Sequence, residues 1–195
     1  MWYFLNANLT NKAVLVLHPL HKVGEEIGAA FKADGADVHI HGEQPQPDCT
    51  TITLHPSGRH DVIVICHNDS RLSSNRLMQY ANAYAPYLSE SRGTLIFALL
   101  NEACAIDETT NTPNPIQNFA RIAGDTFAKA GIRVNVIARH AEKVEQTTET
   151  PRRKNKHLSQ EKESAPIAAS FADIALFLSS PLNTYITGLA VAADA

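Results

Sequence analysis

The side chains with the most chemical reach in this chain are its nine histidines. His18 and His21 follow the apolar run Ala13-Val14-Leu15-Val16-Leu17. His41 ends the alternating stretch Val38-His39-Ile40-His41, and His67 follows Asp61-Val62-Ile63-Val64-Ile65-Cys66. If these runs are neighbouring parallel strands, all four imidazoles face one crevice at the strand ends. Such a group could ligate a transition metal or exchange protons as acid and base. The spacings match no metal motif, however, and alternating histidines are ordinary on one strand face. Satisfied or solvated histidines are the preferred reading, with no metal expected. A ligand- or metal-binding crevice stays open as an alternative.

Tyr80, Tyr84 and Tyr87 are spaced four and three apart, so they share one face of a helix predicted over Leu72–Leu88. A phenol can relay protons when a lysine lowers its pKa, but no lysine follows any of the three by four residues. The stripe reads as core or interface. Cys49, Cys66 and Cys104 are isolated and form no metal-binding pair. They read as reduced, mostly buried thiols of a cytoplasmic protein.

The elements that would position these groups alternate. Short apolar runs at 13–17, 61–66 and 95–100 have the continuous character of buried parallel strands. Further strands fit Val38–His41, Arg133–Ile137 and Leu189–Ala193, and a short one fits Thr51–Leu54. Helices fit the stripe Val23, Ile27, Ala30 and Phe31, closed by Gly35, then Leu72–Leu88, then Ile116 to Phe127, then Ile167–Leu178. Strands alternating with helices imply a Rossmann-like, three-layer αβα domain with a mostly parallel sheet. One domain over residues 1–195 is expected. From Arg139 to Ser164 the chain is charge-dense, with a basic knot at Arg152-Arg153-Lys154-Asn155-Lys156, and reads as a mobile loop.

Bulk properties exclude some classes. Hydrophobic residues make up 44% and charged residues 19%, with a net charge of −3. That balance gives no basic face for nucleic acid. The apolar start, Met1 to Leu5, is too short to span a membrane and reads as a strand or packed arm.

Several segments resemble the short-chain dehydrogenase/reductases (SDRs). They are Leu9-Thr10-Asn11-Lys12, Gly58-Arg59-His60-Asp61-Val62-Ile63-Val64, Gly131-Ile132-Arg133-Val134-Asn135-Val136-Ile137, Ala172 to Ser180, and Tyr185-Ile186-Thr187-Gly188. Each sits at the family's place in chain order. A family member of ordinary length has about 250 residues, so the chain is a shortened version. The resemblance implies a nucleotide cofactor on a single sheet and assembly through the Leu72–Leu88 and Pro115–Ala130 helices.

The same alignment assigns unfitting residues to the chemical positions. The family's first turn reads Thr-Gly-x-x-x-Gly-x-Gly, whose glycines let a pyrophosphate approach the backbone. Here Leu17 falls at the threonine, His18 and Lys22 at the first two glycines, and Gly24 at the third. Lys22 could still attract a phosphate, Gly24 serves helix–sheet packing, and Glu43 could meet an adenosine ribose. The family's catalytic Tyr and Lys fall at Thr109 and Pro113, and its Ser at Leu99 or Leu100. The Asn-Asn-Ala-Gly motif appears as Ile65-Cys66-His67-Asn68, and a later Pro-Gly as Arg139-His140. No residue is nominated as catalytic.

Taken together, the residues and the resemblance suggest an SDR-like pseudoenzyme that binds no cofactor and acts as an interaction or assembly subunit. Homo-oligomers, or hetero-oligomers with a protein partner, are expected. The alternative is an NAD- or NADP-dependent oxidoreductase with a non-standard site, in which Lys22, Gly24 and Glu43 contact the cofactor.

Overall fold

Each strand is a short run of β-branched and other apolar residues, and each helix carries one apolar stripe. In a computed structural model of the chain these become β1 (Ala13–Leu17), α1 (His21–Ala33), β2 (Asp37–His41), β3 (Val62–His67), α2 (Ser74–Ser89), β4 (Thr94–Leu99), α3 (Pro115–Ala128), β5 (Arg133–Arg139), α4 (Gln160–Ser179) and β6 (Ala190–Ala193). The structure describes residues 7–18, 21–42, 58–68, 72–101, 104–106, 114–140 and 160–193, apart from the side chains at 21 and 160–166. The strands form one sheet in the order β2-β1-β3-β4-β5-β6. Every pairing is parallel, so the mostly parallel sheet expected from sequence is wholly parallel among the described residues.

Period-two alternation divides the strand side chains between two cores. Leu15, Leu17, Ile63, Ile65, Leu95, Phe97, Val134 and Val136 face α2 and α3. Val14, Val16, Val62, Val64, Ile96, Ala98 and Ile137 face α1 and α4. Burying each Val, Leu or Ile contributes about 1.5–3 kcal/mol, so a charge at Ile63 or Val64, both wholly buried, would break the sheet. The result is the three-layer αβα arrangement that the alternation of elements predicts.

Local chemistry sets the helix ends. Gly35 (φ 89) turns the chain out of α1, and Ala36 N–H closes the turn on Phe31 O at 3.1 Å. Only glycine takes that left-handed conformation without steric cost. The Ser73 hydroxyl accepts from Arg76 N–H at the start of α2. At the start of α3, Asn114 Oδ1 accepts from Gln117 N–H at 2.9 Å, and Asn114 N–H donates to Gln117 Oε1 at 2.8 Å. This reciprocal pair satisfies donors that the first helical turn would otherwise leave open.

The segment expected as a charged loop over 139–164 has different edges. Arg139 belongs to β5, His140 bridges to Ile106, and α4 starts at Gln160 rather than Ile167. Gln, Glu and Lys are good helix formers, so a polar first turn can extend a helix without an apolar stripe to announce it. The basic knot at 152–156, the strand at Thr51–Leu54 and the arm at Met1–Leu5 lie outside the described residues. No helix among the described residues is long and apolar enough to cross a membrane.

Candidate functional site

β2 lies on one side of β1 and β3 on the other, so chain direction across the sheet reverses there. In an open parallel sheet, the crevice outside the carboxyl ends of such strands is the usual ligand site. His18 stands at the end of β1 with φ 52. Its N–H donates to His41 O at 2.9 Å, and its side chain is buried, at 7% exposure. The His18 ring lies 6.4 Å from Tyr80, and His67, at the end of β3, lies 6.1 Å from the same ring, both edge-on. The Arg76 guanidinium stands 5.4 Å over the Tyr80 face. His18, His67, Tyr80 and Arg76 therefore form one packed group, and His41 joins it through its carbonyl. Among the described residues, no three His, Cys, Asp or Glu side chains converge to hold a metal.

The tyrosine stripe belongs to the core. Tyr80 and Tyr84 are each 1% exposed, and Tyr87 packs against the same cluster. Burial pushes the Tyr84 pKa up to about 12, with further upward pressure from Tyr80 and Tyr87. A phenol held that way keeps its proton at neutral pH and is a poor general acid or base.

Two of the three glycine positions of the family's first turn hold side chains here, His18 and Lys22. His18, at the family's first glycine position, has a left-handed backbone as a glycine would, and its imidazole is buried near the Tyr80 ring. Lys22 is exposed on the first turn of α1, and Gly24 is buried. Glu43 lies outside the described residues, as do Thr109 and Pro113. Leu99, one of the two serine positions, is wholly buried at the end of β4. Leu100, the other, donates its N–H to His67 O at 2.9 Å. Neither offers a hydroxyl. A second opening of about 450 Å³ lies between the starts of α2 and α3, but its polar groups are engaged. Ser74 Oγ donates to Pro115 O, and Asn114 Nδ2 to Ala105 O.

No protein-family model matches the chain, and no curated protein matches it in sequence. Solved structures do match. A short-chain dehydrogenase from Leptospira borgpetersenii with bound NAD+ superposes at a TM-score of 0.60 and 16% identity, over 100% of this chain and 95% of that one. BdcA (YjgI) from E. coli matches at 0.60 and 15% identity, over 95% and 99%. The Cj0485 dehydrogenase matches at 0.60 and 16%, over 97% and 95%. The fold is that of the SDRs.

Within this SDR fold, the two late motifs hydrogen-bond to each other. Asn135, buried in β5, donates through Nδ2 to Ile186 O at 3.0 Å and accepts at Oδ1 from Leu189 N–H at 3.1 Å. Thr187 Oγ1 accepts from Val134 N–H, and Gly188 N–H donates to Val134 O at 2.8 Å. Arg133 Nη1 donates to Leu178 O at 2.6 Å and Asn183 O at 2.9 Å. At the start of β1 and β3, Lys12 Nζ meets Asp61 Oδ1 at 3.0 Å while Asp61 Oδ2 accepts from Ala13 N–H.

These groups surround a cleft of about 380 Å³ at the amino ends of the strands, lined by Lys12, Asp61, Arg92, Thr94, Arg133 and Ser179 among others. Sequence reasoning found Lys12, Asp61, Arg133 and Ser179 only within family-like segments and missed Thr94. A threonine opening a strand and a serine closing a helix carry no signal of their own.

Proposed function

We propose that this chain is an SDR-fold protein without dehydrogenase activity, acting through its surfaces as a partner or assembly subunit. The observation that carries this reading is the buried His18 imidazole at the position of the family's first glycine. Leu99 at the serine position supports it, because an aliphatic side chain cannot hold a substrate oxygen. Assembly, as a homo-oligomer or with another protein, is part of the reading, and the expected helices are α2 and α3. Their outward residues include Asn75, Gln79, Asn82, Asn118, Arg121, Ile122 and Asp125, so such an interface would be largely polar.

One observation favours the second reading, an NAD(P)-dependent oxidoreductase with a non-standard site. The backbone at His18 is left-handed (φ 52), a conformation that suits the glycine of the family pattern, and exposed Lys22 lies on the first turn of α1. A solved neighbour carries NAD+.

Titration with NADH and NADPH, read by calorimetry, separates the two. No saturable binding up to millimolar cofactor is expected for the natural chain. His18→Gly should gain binding, since it removes the imidazole and suits the φ already present. Micromolar binding by the unaltered chain would sink the non-catalytic reading and justify a substrate screen.

A further inference from the structure

The cleft at the amino ends of the strands lies at the opposite end of the sheet from the cofactor crevice, and its chemistry is unbalanced. Thr94 is 1% exposed and Ser179 is 5% exposed. Both line the cleft, and neither hydroxyl has a hydrogen-bond partner among the described residues. A buried hydroxyl left unpaired costs the desolvation of the group, and native folds seldom leave two beside one opening without use for them.

The side-chain charges lining the cleft are net positive, Lys12, Arg92 and Arg133 against Asp61. Asp61 is already neutralised, with Lys12 on one oxygen and Ala13 N–H on the other. Arg133 spends Nη1 on two carbonyls, and Nε and Nη2 make no hydrogen bond among the described residues. Burial lowers its pKa from the ordinary value, so the cation is partly stripped of water and would gain from an anion. The Arg92 guanidinium makes no hydrogen bond or ion pair among the described residues, its backbone N–H alone donating to Ser89 O. Arg92 is exposed, and its stem lies over Gly131, where an added Cβ would meet Arg92 Cγ at 3.0 Å.

We infer that this cleft binds the phosphate group of a small phosphorylated metabolite, held by Arg92 and Arg133 with the Thr94 and Ser179 hydroxyls. Guanidinium forks suit oxyanions, and donors from several directions suit a tetrahedral phosphate better than a planar carboxylate. The volume exceeds that of a bare phosphate. Leu9, Val62 and Pro181, which also line the space, would face the ligand's carbon portion.

The test uses the full chain and inorganic phosphate as probe, with acetate at matched ionic strength as the planar comparison. Saturable phosphate binding, stronger than acetate and unaffected by NADH, is expected. Arg92→Ala should weaken it about tenfold, the ordinary scale for a lost charged hydrogen bond. Thr94→Val should weaken it severalfold without lowering the thermal midpoint of the unliganded protein, because no existing hydrogen bond is lost. A lowered midpoint would mean that the hydroxyl serves the fold. Three other results would overturn the inference: no saturation at tens of millimolar phosphate, equal binding of acetate, or binding that falls with Lys22→Ala and not with Arg92→Ala.

Discussion

Cys66 ends the buried stretch of β3 with no exposed surface, and burial alone pushes its thiol pKa from 9.0 up to about 12. Tyr84 behaves alike, moving from 10.0 to about 12. In both cases the fold holds the neutral form, while the unfolded chain ionises at the ordinary value. Their contribution to stability is therefore complete below about pH 9 and drains away as pH climbs toward about 12. Thermal midpoints should fall across that window, and a Cys66→Ala/Tyr84→Phe chain should fall less steeply, whatever its starting midpoint. An equal slope in the two chains would remove these groups as the cause. The same burial makes Cys66 and Cys104 poor nucleophiles, so a Cys49→Ser chain should label with a thiol reagent only on unfolding.

Between elements, one very tight contact is where α3 meets the turn before β6. A Cβ on Gly124 would lie 2.5 Å from Gly188 Cα and 2.6 Å from its N, and backbone on both sides cannot step aside. Gly124→Ala should cost about 1–3 kcal/mol, which for a chain of this size lowers the thermal midpoint by about 2–4 °C per kcal/mol. Gly42→Ala, with nothing within 4 Å of the added carbon, is the control and should be nearly silent. The elements themselves were legible because buried strands and striped helices write their lengths into hydropathy: β1, β3 and β4 fall within a residue of the apolar runs. The start of α4 was not legible, since its first turns carry no stripe. The Asn135 clasp was visible only as a family-like motif, because a buried asparagine does not name carbonyls fifty positions away.

Across the whole molecule, likeness and departure fall at opposite ends of the sheet. Lys12, Asp61, Arg133, Thr187 and Gly188 all gather at the amino ends of the strands, where they tie elements together. His18, His67, Leu99 and Arg139 stand at the carboxyl ends, where SDR chemistry would occur. The sequence could reveal that the second group departs from the SDR pattern. It could not reveal the amino-end cleft, because an orphaned hydroxyl is a property of assembled neighbours. If the chain works through assembly, light scattering at micromolar concentration should report a dimer or larger, and Arg121→Glu with Asn118→Glu on α3 should dissociate it. Strict monomers would count against that role. The clasp between β5 and the 186–189 turn also has a kinetic meaning. Parallel pairings join distant parts of a chain and form slowly, and here Asn135 cannot place its amide until residues some fifty positions later arrive. Until then β5 is an unpaired edge inviting other chains, so the interval between making β5 and making Leu189 is the moment at which a nascent copy is most prone to aggregate.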